Sequence, residues 1–251
     1  MIIQIKKTGM RFMRKILIVN DDGIGASGIE RLARLARKYG KVWVVAPATQ
    51  QSGASHSINL RTAMKCRKVE FPVEDVEAYM LEGSPADCTR VGVLKIVPGK
   101  PDLVLSGINY GYNAGSDTMY SGTVGAAVEG AFQGIPSVAI SEGFKEASLI
   151  TDKYLEEILD KVIHEIIDKP VEKYVITNIN FPDCELEDLK GIAWDVAVSK
   201  GLVYTDDYAA TPCEDGSVDY MVDGTFGVKA EEGTDLYAIF DNYISVGKLG
   251  R

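Results

Sequence analysis

The sequence predicts an α/β fold, a three-layer sandwich with a mostly parallel sheet between two layers of helices, plus a C-terminal β-hairpin or arm extension. Three observations predict it. Short apolar runs rich in Val, Ile and Leu recur without polar alternation, as strands covered on both faces do. Amphipathic stretches of helical period separate these runs, the order that produces a parallel sheet. After about residue 182 the texture changes to aromatic and β-branched alternation broken by Gly and Asp turns.

The elements follow in order. Residues 1–13 are a basic N-terminal extension that lacks the continuous apolar core and small-residue cleavage site of a signal peptide. The core, 14–182, opens with a strand at Ile16–Asn20 that stops at two adjacent acids, Asp21 and Asp22. The turn Gly23-Ile24-Gly25-Ala26-Ser27-Gly28 leads into a helix with Ile29, Leu32, Leu35 and Ala36 on one face, ending at Gly40. A second strand, Val42–Ala46, feeds Pro47 and the loop ATQQSGASHS. A helix begins at Ser84, an N-cap residue, with Pro85 at its first position. The third strand, Leu103–Gly107, feeds a long Asn- and Gly-rich loop. A small-residue helix, SGTVGAAVEGAFQG, follows from Ser121 and stops at Gly134. Then come a strand at Ser137–Ser141, a long amphipathic helix ended by Pro170, and a fifth strand at Tyr174–Asn178. Residues 183–251, including TDLYAIFDNYISVG, read as hairpins and extended arms integral to the fold, with an expected role in oligomerisation.

Composition narrows the function. With 46 % apolar and 25 % charged residues the chain is ordinary for a soluble globular protein. A net charge of −9 makes long nucleic acid a poor partner, without excluding small phosphorylated ligands that meet local fields. No run of about 18 apolar residues exists to span a membrane. Cys66, Cys88, Cys184 and Cys213 are far apart and form no C-x-x-C pair, so reduced thiols in a cytoplasmic protein are expected.

In open α/β sheets, ligands bind beyond the carboxyl ends of the strands. That selects Asp21-Asp22, the loop carrying Ser52 and Ser55, and the loop carrying Asn109 and Asn113. Two readings of the acids stand. One is a helix-capping acid with a solvated neighbour. The other is a pair whose repulsion is offset by a bound Mg²⁺ or Mn²⁺, since hard cations take oxygen ligands. Zinc is not expected, because only His56 and His164 are available and His164 sits mid-helix. Ser121-Gly122-Thr123 at a helix start suits a phosphate group through free backbone N–H groups and the helix dipole, although small residues also permit close helix–sheet packing. Asn109 and Asn113 flank a glycine, which is also plain turn chemistry. His56 is either a proton donor or a hydrogen-bonded loop residue.

The glycine turn also fits the G-x-G-x-x-G pattern of NAD binding. Two negative charges beside it would repel a pyrophosphate, and the second strand ends at Ala46-Pro47-Ala48 with no acid for the ribose. A metal between the acids and a substrate phosphate reconciles both features, which makes a phosphohydrolase the favoured class.

The segments ILIVNDDGIGASGI, VAPATQQSGASHSINL, GSPADC, LSGINYGYNAGSDTMYSGTVGAAVEG, GIPSVAIS and NINFP, in that order, closely resemble the SurE survival-protein nucleotidases. The resemblance runs from about Arg14 to Val246. It implies a Rossmann-like core with a C-terminal arm exchanged in a homodimer or homotetramer. It also implies hydrolysis of nucleoside 5′- and 3′-monophosphates, and of short polyphosphate, with one Mg²⁺ or Mn²⁺ per subunit. By the same resemblance Asp21, Asp22, Ser52 and Asn109 hold the metal, and Asp21, Asp22 and Asn109 are catalytic. Asn113, Ser121, Gly122 and Thr123 contact phosphate. The chain departs from the family pattern at Thr49-Gln50-Gln51, where Asp and Arg are usual, at Gly25, and at the ending SVGKLGR. A nucleotide sensor without turnover on the same fold is the alternative function.

Overall fold

Every residue of the first strand except its start is apolar, and this forces a layer of helices on each side of it. β1 (Arg14–Val19) turns Ile16 and Ile18 to one face and Leu17 and Val19 to the other, and all four are fully buried. The computed structural model describes residues 14–144, 147–167, 169–205, 207–226 and 230–250; the N-terminal extension lies outside them.

The elements after β1 are α1 (Ser27–Ala36), β2 (Gly40–Pro47), β3 (Cys66–Val69), β4 (Val76–Leu81) and α2 (Pro85–Val91). A five-residue π-helical turn, Gly92–Ile96, prolongs α2. Then come β5 (Leu103–Tyr110), α3 (Gly122–Phe132), β6 (Ser137–Glu142), α4 (Ala147–Ile166) and β7 (Val175–Phe181). The C-terminal part adds β8 (Gly191–Val196), β9 (Tyr204–Thr205), β10 (Tyr208–Pro212), β11 (Val218–Val222), β12 (Thr225–Phe226), α5 (Asp235–Phe240) and β13 (Tyr243–Gly250).

Nine strands form one sheet in the order β3-β4-β2-β1-β5-β6-β7-β13-β8. The six from β4 to β7 are parallel; at the two sides β3 runs antiparallel to β4 and β13 antiparallel to β7. On one face Ile16 and Ile18 join Ile29 and Leu32 of α1 and Ile158 and Val162 of α4. On the other, Leu17 and Val19 join Cys88 of α2 and Ala126 of α3. This is the three-layer, mostly parallel α/β sandwich that the patterning predicts. β1 pairs with β2 on one side and β5 on the other, with Ile16 opposite Val42 and Leu103. Strand order therefore reverses at β1, the place where such sheets open a ligand crevice.

Local chemistry sets the helix starts. Ser84 caps α2 by accepting from the Asp87 N–H at 3.0 Å, and Asp87 accepts from the Ser84 N–H at 3.1 Å, a reciprocal capping box. Ser121 caps α3, its Oγ accepting from the Val124 N–H at 3.0 Å.

The structure corrects the sequence reading in two places. β3 and β4 are strands that periodicity does not reveal: β3 is charged and largely exposed, and β4 buries only Ala78 and Leu81. Pairing rather than burial defines them, β3 as the edge strand and β4 between β3 and β2. The segment TDLYAIFDNYISVG is not wholly extended. Thr234 caps a helical turn, α5, whose Leu236 and Ile239 are buried. The same aromatic and apolar residues that alternate like a strand also satisfy i, i+3 spacing. β10 and β11 do form a hairpin, but β8 pairs with β13 in parallel. Among the described residues no helix is long and apolar enough to cross a membrane.

Candidate functional site

The end of β1 is shaped by Asn20. Its side chain is fully buried, donates to the Gly23 carbonyl at 2.9 Å and accepts from the Gly23 N–H at 3.3 Å. Gly23 has φ +99°, a conformation that favours glycine. The Ile24 N–H donates to the Pro47 carbonyl at 3.0 Å and the Gln51 N–H to the Asp21 carbonyl at 2.8 Å, which binds the acidic turn to the loop after β2. Gly28 serves packing: a Cβ there would lie 2.1 Å from the Ile108 carbonyl oxygen. The glycine pattern is thus accounted for by a turn and by the approach of α1 to β5.

Asp21 is 5 % exposed and sits against the first turn of α3. Thr123 Oγ1 donates to its Oδ1, and the Thr123 N–H donates to the same carboxylate. A Cβ at Gly122 would lie 2.8 Å from Asp21 Cβ and 3.1 Å from its Oδ2, so only glycine lets α3 come this close. The positive end of the α3 dipole therefore faces the acid. Burial still dominates, and with the neighbouring charge of Asp22 it raises the Asp21 pKa from 3.8 to about 6.

Asp22 is half-buried, and burial raises its pKa as well. It accepts from the Tyr110 N–H and, at 3.4 Å, from the Gln50 side-chain amide. The same Gln50 nitrogen donates to Ser52 Oγ at 3.0 Å. One amide thus bridges Asp22 and Ser52. The register of β5 against β6 shifts between Ser106 and Asn109, which re-aims the strand end that carries Asn109. Asn109 is half-buried, and its Nδ2 donates to the Gly111 carbonyl at 2.8 Å.

The structure brings Asp21, Gly122 and Thr123 into direct contact. It connects Asp22 to Ser52 through Gln50 and to the β5 end through Tyr110. Ser121 is held by its capping bond. Asn113 is buried deeper: its Nδ2 donates to Ser141 Oγ at 2.8 Å, and its backbone is clamped by Asn178 and Asn180. His56 lies to one side, 2.8 Å from the Glu129 carboxylate, which also accepts from Arg90 and Gln133. That geometry makes His56 a tie between the Ser52 loop and α3. Ser55 reinforces the tie, its N–H donating to the Tyr120 carbonyl at 2.9 Å and its Oγ to the Met119 carbonyl at 2.6 Å.

Sequence reasoning missed Gln50 as a bridge, the Asn20 clamp and the Glu129–Arg90 partners of His56. The NINFP motif flagged Asn178 and Asn180 without giving them a role. Their partner Asn113 lies 65 and 67 positions away, beyond any local pattern.

The donor set of this site can be tested against a metal. Among the described residues no lysine, arginine or histidine pairs with Asp21 or Asp22, so two adjacent carboxylates, one of them buried, have no cationic side chain to offset them. The surrounding donors at Ser52 and Asn109 are neutral oxygens. Among the described residues no group of three or more His, Cys, Asp or Glu is placed to hold a metal ion. Two carboxylates with neutral oxygens and open coordination positions fit a hard divalent cation rather than a soft one.

The family described as "Survival protein SurE" matches residues 16–201. A "5'-nucleotidase SurE" of Clostridium botulinum (strain ATCC 19397 / Type A) is 39% identical over 238 residues, covering 93% of this chain and 92% of its own length. A protein of the same name from Mesorhizobium japonicum is 35% identical over 241 residues, covering 94% and 92%. The crystal structure of a SurE protein from Aquifex aeolicus superposes with a TM-score of 0.75 at 34% identity, covering 94% of this chain and 93% of that one. With the motifs in one order, the fold shared and the match extending over nearly all of its length, the chain belongs to the SurE family.

Proposed function

We propose that this chain is a metal-dependent phosphomonoesterase that hydrolyses nucleoside 5′- and 3′-monophosphates to nucleoside and phosphate, with short polyphosphate as a further substrate. The observation that carries the reading is the carboxylate pair Asp21-Asp22. It has no cationic side chain among the described residues and lies against the start of α3, in a chain whose relatives are named 5'-nucleotidases. Asp21, Asp22, Ser52 and Asn109 would hold one Mg²⁺ or Mn²⁺ per chain. When bound, that ion supplies Lewis-acid polarisation of the phosphoryl group.

The chain's own groups do the rest. Ser121, Gly122 and Thr123 orient phosphoryl oxygens at the α3 N-terminus, and Asn113 is assigned to the same anion. Water attacks phosphorus as the ester P–O bond breaks, and the leaving alcohol takes up the proton that water gives up. Gln50 limits how far Asp22 and Ser52 can separate, because its amide reaches both.

That bridge also favours a second reading, a nucleotide sensor without turnover, since an amide N–H stands between two of the proposed metal ligands. Phosphate release from a panel of 5′- and 3′-monophosphates in EDTA, Mg²⁺ and Mn²⁺ decides between them. Metal-restored release supports the hydrolase. Binding without release by folded protein in every metal rejects it in favour of the sensor.

Assembly as a homodimer or homotetramer through the arm accompanies this reading. It is supported by the exposed apolar side chains of the β10–β11 hairpin, where Tyr220 is 68% and Met221 75% exposed. A monomer at micromolar concentration in light scattering would reject it. A cytoplasmic setting is supported by four cysteines that are all unpaired.

A further inference from the structure

Tyr110 stands one residue past Asn109, and its backbone N–H donates to the Asp22 carboxylate. Its side chain is 61% exposed and yet fixed. The hydroxyl donates to the Phe144 carbonyl. The ring meets the Phe144 ring nearly at right angles, with centroids 5.1 Å apart. Both the polar tip and part of the ring are therefore committed within the chain, and what remains bare is flat aromatic surface on the residue whose backbone holds Asp22.

An open cleft of about 640 Å³ on the other side of the site, between the ends of β2 and β4, is the competing seat for a nucleobase. Several of its polar side chains are already engaged, with each other or with neighbours. Asp87 accepts from the Asn59 N–H and from Ser84, the Asn59 amide donates to Thr62, and Glu82 pairs with Arg67. The Gln51 amide donates to Thr49. A base entering there would have to break these bonds or leave its own edge unsatisfied, while two carboxylates line the walls. Tyr110 asks for neither, because every nucleobase has a π face.

We propose that Tyr110 is the platform on which the substrate's nucleobase stacks, and thus the residue that separates nucleotides from other phosphomonoesters. This rests on the nucleotidase reading above and adds the base-recognition element to it. Recognition by stacking is tolerant of base identity and favours purines through their larger ring area.

The test compares Tyr110→Ala and Tyr110→Phe with the parent protein on 5′-AMP and on ribose 5-phosphate, which carries the same phosphate and sugar without a base. The ratio of kcat/KM for AMP to that for ribose 5-phosphate should fall in Tyr110→Ala by about 5- to 150-fold, the range of base–aromatic stacking. The loss should appear chiefly in KM for AMP, as expected for binding that ground and transition states share. Tyr110→Phe should keep the ratio within about twofold, since ring area is retained. A ratio unchanged in Tyr110→Ala, whether both substrates suffer equally or neither does, overturns the proposal. If the parent protein releases phosphate from neither substrate, the nucleotidase reading fails separately, and equilibrium dialysis then reads the stacking. There, Tyr110→Ala must weaken AMP binding more than ribose 5-phosphate binding, and equal weakening rejects the platform.

Discussion

Asp21→Asn should make the metal-free protein more stable at neutral pH while removing its metal response. Asp21 has its pKa raised from 3.8 to about 6 by burial. The folded state therefore holds the proton more tightly than the unfolded chain does. A raised carboxyl pKa contributes stability that is complete below 3.8 and lost as pH climbs through about 6. The loss, at 1.36 kcal/mol per unit over a shift of roughly two units, comes to about 3 kcal/mol at pH 8. It falls to about 1.6 kcal/mol at pH 5 and about 0.5 kcal/mol at pH 4. Asparagine keeps the shape and an acceptor for Thr123 but never ionises. In EDTA its urea midpoint should exceed that of the parent at pH 8, and the gap should close toward pH 4. Adding Mn²⁺ should raise the parent's midpoint and leave Asp21→Asn where it was. An Asn variant no more stable than the parent at pH 8, or a gap independent of pH, would refute the claim that burial of this charge costs the apo fold.

Two further outcomes follow from the packing around the site. Glu129 is 2% exposed; burial alone would raise its pKa, but hydrogen bonds from His56 and Gln133 and the charge of Arg90 pull it below its ordinary value. Its contribution is present above pH 4.5 and is lost as the pH falls through its folded pKa, so Glu129→Gln should flatten the acid limb of the stability curve and cost about 1 to 3 kcal/mol at pH 7; an unaltered acid limb counts against the His56–Glu129–Arg90 cluster. Gly28→Ala places a Cβ 2.1 Å from the Ile108 carbonyl oxygen, backbone against backbone, and should lower stability by about 1 to 3 kcal/mol in urea titration, whereas an unchanged midpoint means α1 does not lie this close to β5.

Much of the architecture is legible in the sequence because it is written locally. The five central strands carry their burial in short runs rich in Val, Ile and Leu that do not alternate with charged residues, and turn residues bound them. What is illegible depends on partners far along the chain. β3 and β4 hold their places through pairing, with Cys66 opposite Leu81 and Val76 opposite Val42, and no periodicity announces that. α5 is hidden by aromatic residues that suit either period. At the site, the acids and the Ser121 turn stand out because their chemistry is unusual for a strand end. Gln50 looks like loop filler until its amide is seen between Asp22 and Ser52. Asn113 reads as turn chemistry because its partners Ser141, Asn178 and Asn180 come from later strands.

The place of β13 in the sheet bears on how the chain is made. β13 lies between β7 and β8, although β8 precedes it in sequence. During synthesis β7 therefore emerges with its outer edge bare, and β8 has no strand to join until some fifty residues later, when Tyr243–Gly250 appears. A nascent chain in that interval exposes an open hydrogen-bonding edge, the element most prone to pair with a neighbouring copy. Closing it requires a contact across a long stretch of chain, which is slow to form. The ribosome thus releases the core of this molecule before it releases the strand that seals it.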